Sequence, residues 1–324
     1  MKSIVLYNEI LPDASEDDRD VLVQRDMVVK TLNDMGYKTE LLPVTLDLKR
    51  IHDKLSGLKP VFVFNLVESI TAVGRFIYFV PTILEHLQIP FTGSSSDTLY
   101  LTTNKVLCKE RLKEAGLKTP AWSNSYGVAP NTGPPYIIKP VWEDASVGLD
   151  DKAMVYDTKS LNSIFKKQTL QFGSCFSETY IDGREFNLSL LDSENGPQLL
   201  PAAEIRFEEY PDDKPRIVGY KAKWESNSFE YTHTPRHFNF PDSDNDLLQK
   251  LKHNAIECWH LFKLSGYARV DFRVDYKGTI WILEVNANPC ISPDSGFIAA
   301  ARQAGVTFED VIKCIVSAAL RKAL

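Results

Sequence analysis

Two short segments near the C-terminus constrain this chain more than any other feature. Tyr267–Asp275 and Thr279–Asn286 alternate apolar and polar residues, and the turn signal Tyr276-Lys-Gly lies between them, so they predict an antiparallel hairpin. In the first strand Ala268, Val270, Phe272 and Val274 share one face, and Arg269, Asp271 and Arg273 share the other. In the second, Trp281, Leu283 and Val285 fall on one face, and Glu284 and Asn286 on the opposite one. With Asp275 paired to Ile280, Asp271 lies across from Glu284, and Arg269 across from Asn286. Carboxylates directly opposed on a sheet repel, which a fold tolerates when positive charge sits between them. Asp271, Glu284 and Asn286 are hard oxygen ligands. They suit Mg²⁺, which takes few protein ligands and completes its shell with water and phosphate. A solvated charged face is the plain reading of one Asp/Glu pair. Four groups converging in one register, Arg269 among them, favour a metal–phosphate site, although a slip of one residue would scatter the set.

Composition narrows the partners. The net charge of −6, from 37 Lys+Arg against 43 Asp+Glu, argues against a general nucleic-acid or acidic-membrane binder and still admits an anionic ligand, because local basic groups can outweigh the global sign. Five cysteines, none in a C-x-x-C pair, read as reduced thiols in a cytoplasmic protein without a zinc module. The N-terminal apolar run is too short for a signal-peptide core, and no apolar stretch has transmembrane length. His233 and His237 stand four apart, but Pro235 between them opposes the helix that would align them, and there is no H-E-x-x-H. A zinc hydrolase is therefore not expected.

Along the chain, residues 1–96 alternate strand and helix: strands at Ile4–Tyr7, Thr39–Val44 and Pro60–Val67, an acidic loop from Asp13 to Asp20, and helical segments after Asp20 and at Leu46–Leu55. Such alternation predicts a parallel sheet with covering helices. Residues 97–178 read as a small α+β unit, with one helix ending at Gly116 and strands at Ala121–Tyr126, Tyr136–Val141 and Ala153–Tyr156. Residues 179–324 carry strands at Glu185–Leu191 and Gln198–Phe207, a helix at Leu247–Leu264, the hairpin, and two C-terminal helices. Between them the stretch 208–240 has weak periodicity, and so long a loop in a compact domain is usually functional.

Several further residues could carry chemistry. Lys139 ends an apolar strand, and the small-residue loop Glu143–Gly148 after it offers backbone N–H groups to phosphate. Glu178–Glu185 joins two strands; backbone near Glu178 and Ile181 could meet an adenine edge, and Glu185 a ribose diol. Lys223 lies in the long loop, where a basic group can close over phosphate. Ser295 opens a helix, a position that caps or clamps an anion. Cys290 has no histidine near it in sequence and reads as a packing residue. Taken singly, each of these is as readily a surface turn, a solvated lysine or a cap.

Taken in order, the pieces resemble the ATP-grasp superfamily and, within it, the D-alanine–D-alanine ligase group. The pattern runs Asn104-Lys105, Ile138-Lys139-Pro140, Ala145–Gly148, Glu178–Glu185, Lys223, Arg269-Val-Asp271 and Glu284–Pro289, with a ligase-like tail at Ser295–Val306. The resemblance covers most of the chain from Pro90 onward. It implies an α/β (α+β) fold: a Rossmann-like parallel-sheet domain over 1–96, a central subdomain with the phosphate loop over 97–178, and a C-terminal subdomain with the metal site and omega loop over 179–324, the last two clasping ATP. It implies that Lys105, Lys139 and Ser146 hold phosphates, that Glu178 and Ile181 present the adenine-binding backbone, and that Glu185 meets the ribose. Asp271, Glu284 and Asn286 would hold two Mg²⁺ ions, with Mn²⁺ a substitute. Arg269 would stabilise the tetrahedral intermediate, Lys223 would reach the γ-phosphate, and Ser295 would contact the second substrate's carboxylate.

The activity so implied is ADP-forming ligation of an amino acid or small carboxylate to an amine through an acyl phosphate, by a protein whose group is often dimeric. The alternative is a non-catalytic nucleotide-binding regulatory protein on the same fold; retention of Arg269 and all three metal ligands speaks against it. The chain departs from the group in the first-substrate pocket. Ser15–Val21 replaces a S-x-E-x-x-V-S-type segment, with Asp18 in the place of the amine-binding glutamate. Val67-Glu68 stands where the group has H-G, and Pro289-Cys290 where it has P-G.

Overall fold

A computed structural model describes residues 1–12, 14–143 and 146–322. Asp13 of the acidic loop and Asp144 and Ala145 of the small-residue loop lie outside the described residues. The first part of the chain runs β1 (Lys2–Asn8), α1 (Glu16–Asp34), β2 (Lys38–Val44), α2 (Leu48–Leu58), β3 (Phe62–Asn65) and α3 (Phe79–His86). The three strands form a parallel sheet in the order β2-β1-β3. The run Ile4–Leu6 at its centre is wholly buried, as expected of a strand covered on both faces. Three acidic residues in the first turn of α1, Glu16, Asp17 and Asp18, match the positive end of the helix dipole.

The middle of the chain comprises α4 (Ser96–Thr103), α5 (Lys105–Glu114), β4 (Trp122–Ser123), β5 (Tyr136–Pro140), β6 (Met154–Val155), α6 (Leu161–Phe172) and β7 (Cys175–Thr179). The expected single helix is two. Asn104 is extended, and its Oδ1 accepts the N–H groups of Val106 and Leu107, both at 3.1 Å, so a capping side chain ends one helix and starts the next. The strands form an antiparallel sheet in the order β4-β7-β5-β6.

The rest follows as β8 (Arg184–Ser193), β9 (Gly196–Leu199), β10 (Ala203–Ile205), α7 (Tyr220–Trp224), α8 (Phe229–Thr232), β11 (Arg236–His237), α9 (Asn245–Leu261), β12 (Tyr267–Val274), β13 (Ile280–Asn286), α10 (Gly296–Gln303) and α11 (Phe308–Arg321). A second antiparallel sheet runs β11-β10-β8-β12-β13, with β9 also paired to β8. The strand expected over Gln198–Phe207 is split into β9 and β10, with Pro201, which lacks a donor N–H, in the gap. The stretch 208–240 is not all loop: it holds α7, α8 and β11.

The hairpin forms with a correction to its register. Arg269 pairs with Asn286 and Asp271 with Glu284 as expected, but a bulge follows, and Val274, not Asp275, pairs with Ile280. The extra residue is Leu283. It flips the faces on either side of it. Ile280 and Ile282 thereby join Val285 in the core, and Leu283 turns to the same cleft as Glu284. One polar face and one apolar face are kept although strict alternation fails.

Helix α5 is the joint between the two antiparallel sheets. Cys108 and Leu112 pack with Val270, Phe272 and Ile282 beneath the hairpin, while Val106 packs with Val141 and Phe176 of the other sheet. The C-terminal helices return to the parallel sheet: Ile312, Ile315 and Phe297 share a core with Val5, Phe62 and Phe64. The capping box Thr307–Asp310 starts α11 there.

Candidate active site

The two antiparallel sheets, helix α1 and the chain after β3 converge on a cleft of about 880 Å³. Into it face Lys139, Ser146, Glu178, Ile181, Glu185, Lys223, Arg269, Asp271, Glu284, Asn286 and Ser295, which gathers most of the residues singled out in the sequence.

The acidic centre lies on neighbouring strands. Asp271 is buried on β12 and flanked by polar residues of both neighbours, Asn187 on β8 and Glu284 on β13. Arg269 binds its carboxylate through both oxygens, Nε to Oδ1 at 2.7 Å and Nη2 to Oδ2 at 2.8 Å, and Asn187 Nδ2 donates to Oδ1 at 2.8 Å. Arg269 Nη2 is also 4.0 Å from Glu284. Burial pushes the Asp271 carboxyl up to about 6 against the pull of Arg269. At Glu284 burial is outweighed by Lys105, Lys223 and Arg269, which hold it down at about 2. Two opposed carboxylates and an amide, ringed by three cations, form a donor set that fits a hard divalent ion. Arg269 stands as the counter-charge to Asp271.

Lys105 starts α5 and donates to the Glu143 carbonyl at 2.5 Å. Lys139, at the end of β5, is 2.7 Å from Glu178 Oε1. The Glu178 side chain is buried between two lysines, Lys139 and Lys109. Burial works against its ionisation, but the two cations win and hold its pKa below the ordinary value. Glu185 is also engaged: Arg273 donates to its Oε2 through Nε at 2.9 Å and Nη2 at 2.6 Å. Arg273 is further tied to the carbonyls of Ile181 and Gly183, each at 3.4 Å. Lys109 and Arg273 were not assigned roles from the sequence. Lys109 stands four residues after Lys105, hence on the same helix face. Arg273 lies two residues from Asp271 on the same strand face. Asn187 alternates with Glu185 and Ser189 along β8.

The 208–240 segment is folded over the cleft. Ser146, in the left-handed region at φ 64°, donates to the Val218 carbonyl at 2.8 Å, and Tyr220 N donates to the Leu149 carbonyl at 3.1 Å. A Cβ on Gly219 would meet that Leu149 carbonyl at 2.3 Å, so only glycine allows this approach. Tyr220 Oη reaches across to Asp17 Oδ1 at 2.9 Å. Lys223 on α7 faces Arg269 and the carboxylates of Glu284, Asp271 and Glu185. Burial and Arg269 pull its pKa below the usual range against those carboxylates.

The far end of the cleft differs from expectation. Asp18 does not line it. The face of α1 that does is Glu16, Arg19, Asp20 and Val23, a helical spacing that excludes Asp18, whose carboxylate instead accepts from Ser15 Oγ at 3.0 Å. Asp20 is the acidic group of α1 drawn into the polar cluster here: its Oδ2 accepts from Cys290 Sγ at 3.0 Å and from Gln24 Nε2 at 3.1 Å, and Gln24 also donates to Glu68 at 2.9 Å. Burial, then Glu68 and Asp20, push the Cys290 thiol well up, which leaves it a poor nucleophile. Ser295 accepts from Ile298 N at 3.3 Å as the cap of α10, and Arg236 Nη1 beside it donates to the Asp294 carbonyl at 3.0 Å.

Two antiparallel sheets facing each other across a cleft, one bringing lysines and a small-residue loop and the other opposed carboxylates, define an ATP-grasp architecture. Residues 112–317 match the family described as D-ala D-ala ligase C-terminus. A D-alanine–D-alanine ligase of Aquifex aeolicus is 30% identical over 297 residues, covering 90% of this chain and 92% of that protein. An uncharacterized protein of Sinorhizobium fredii is 30% identical over 308 residues, covering 92% and 87%. The crystal structure of a D-alanine–D-alanine ligase from Bacillus anthracis complexed with ATP superposes with a TM-score of 0.75 at 22% identity, over 100% of this chain and 98% of that one. The chain belongs to the D-alanine–D-alanine ligase family of the ATP-grasp superfamily. By family it is a D-alanine–D-alanine ligase-like, ATP-dependent ligase. Among the described residues no helix is long and apolar enough to cross a membrane.

Proposed function

We propose that this protein joins a carboxylate to an amine at the expense of ATP, through an acyl phosphate. The observation that carries the reading is the convergence of Asp271, Glu284, Asn286 and Arg269 with Lys139 and Lys223 in one cleft. Asp271, Glu284 and Asn286 would hold Mg²⁺, which when bound neutralises the phosphate chain. Lys105, Lys139 and Ser146 would receive phosphates. Glu178 and Ile181 would border the base, and Glu185 the ribose.

The first carboxylate attacks the γ-phosphorus and releases ADP. The amine then attacks the acyl carbon, the C–O bond to phosphate breaks, and the ammonium proton leaves with solvent. The protein acts by positioning and by charge, without a covalent intermediate of its own. Arg269 would meet the oxyanion of that second step, and Lys223, on the folded-over segment, would meet the γ-phosphate. Ser295 and the start of α10 suit the carboxylate of the amine-bearing substrate. The acidic far end, with Asp20 and Glu68, suits the ammonium group of an amino acid donor.

The test is ADP release, with product mass, across D- and L-amino acids, dipeptides and hydroxy acids. ADP formed only when a carboxylate and an amine are both present supports the ligase. Nucleotide bound but no ADP formed with any pair in the panel would point to the regulatory alternative.

A further inference from the structure

Beneath the nucleotide side of the cleft lies an ion cluster that the proposed chemistry does not use in full. Lys109, one turn beyond Lys105 on α5, is paired with Glu178 Oε2, donates to Thr119 Oγ1 at 2.7 Å, and lies 5.9 Å from the centroid of the Trp122 ring. The other Glu178 oxygen takes Lys139 at 2.7 Å. The side chains of Lys109 and Glu178 are each 2% exposed, and that of Lys139 is 12% exposed. Lys139 and Glu178 line the cleft and Lys109 does not.

Burying a charge is costly unless it is paired. Lys139 alone would satisfy Glu178 and give a neutral pair. The second, fully enclosed lysine leaves the cluster with one net positive charge, and only the Lys139 end opens to the cleft. A charge held in low dielectric acts over longer range than one in water.

We infer that Lys109 is an electrostatic positioning residue for a polyanionic ligand: by occupying one oxygen of Glu178, it leaves the cleft-facing Lys139 with charge that Glu178 does not cancel. The inference rests on the nucleotide reading of the cleft. Lys109 touches no substrate; it acts through Glu178 and Lys139. Its effect therefore scales with the number of phosphates on the ligand, whereas loss of packing alone would not discriminate among them.

The experiment is calorimetric titration of adenosine, ADP and ATP, each with Mg²⁺, against the wild type, Lys109→Arg and Lys109→Met. Lys109→Met should weaken ATP by about tenfold or more, ADP less, and adenosine less than about twofold, as expected for one lost charge near the phosphates. Lys109→Arg should recover most of the ATP affinity. Equal weakening of all three ligands, or unchanged ATP affinity, overturns the inference while a wild type that binds ATP keeps the nucleotide reading. A wild type that binds no adenine nucleotide overturns both. Should Lys109→Met not fold, Lys109→Gln, which removes the charge and keeps a donor for Thr119, is titrated in its place. It should weaken ATP by about tenfold or more and adenosine less than about twofold; equal weakening of the two contradicts the inference.

Discussion

The two ends of the cleft are held in different ways. At the end that carries Arg269, Asp271 and Glu284, the charged groups sit on paired strands, so sheet register fixes them. Arg269, Asp271 and Arg273 alternate along β12, Glu185 and Asn187 along β8, and Glu284 and Asn286 follow the bulge on β13. At the far end the groups come from three separate segments: Asp20 from α1, Glu68 from the chain after β3, and Cys290 and Asp294 from the chain after β13. The first arrangement is tied to a buried apolar face and cannot drift without exposing it. The second can change one residue at a time, and it is where this chain departs from its family's pattern.

The strongest way to break that contrast is to delete Leu283. Without the bulge residue, either Glu284 leaves the cleft or Ile280 and Ile282 leave the core. Exposing those two isoleucines costs about 1.5–3 kcal/mol each, so denaturant unfolding should show a loss of several kcal/mol together with loss of Mg²⁺-dependent nucleotide binding. A deletion variant with wild-type stability and binding would show that register does not hold the site. Next in size, Arg269→Ala should lower turnover on the order of 10²-fold or more, the scale of one lost charge stabiliser; single-turnover product formation measures it, and near-intact activity contradicts the role.

At the far end, smaller and separable effects are expected. Asp20→Asn should raise KM for the amino acid donor by about tenfold, the scale of one charge-assisted hydrogen bond, and Asp18→Asn should leave it within about twofold. Steady-state kinetics on the two variants decides between them, and the reverse ranking would restore Asp18 to the binding role first expected of it.

The smallest effect is on acid stability. The pKa of Glu178 in the folded chain lies below its ordinary 4.5. Its ionisation thus favours folding above pH 4.5, and that contribution fades as pH falls toward the lower folded value. Glu178→Gln should flatten the decline of stability below pH 4.5, as read by urea unfolding at a series of pH values. An unchanged acid slope would mean that Glu178 is not held down by its lysines.

The same contrast explains what could be read from the sequence. Register chemistry is partly legible because strand alternation turns spacing into geometry: Asp271 faces Glu284 as the assumed register has it, but only because the bulge offsets the one-residue error at the turn, where Val274 takes Ile280. The bulge at Leu283 is not legible, because nothing in Trp281–Glu284 distinguishes an extra residue from ordinary alternation. The parallel sheet of β1, β2 and β3 follows from alternating strand and helix, whereas α3 and α4 are not legible, since Pro81 sits in the first turn of α3 and α4 is a short run rich in Ser and Thr with weak helix propensity. The spacing of Lys109 from Lys105 places the two on one helix face, but the sequence does not show that Glu178 turns its side chain inward to meet Lys109. Asp18 is expected at the first-substrate pocket from the resemblance alone, whereas helix phase brings Glu16, Arg19, Asp20 and Val23 to the cleft.

If Asp271, Glu284 and Asn286 together grip a divalent ion that carries the nucleotide, ATP binding depends on that ion and on Glu284. Calorimetry of ATP binding with and without Mg²⁺, on the wild type and on Glu284→Gln, should therefore show Mg²⁺-dependent binding in the wild type and loss of that dependence in Glu284→Gln. Wild-type binding indifferent to Mg²⁺, or a Glu284→Gln variant with full Mg²⁺ dependence, would contradict it.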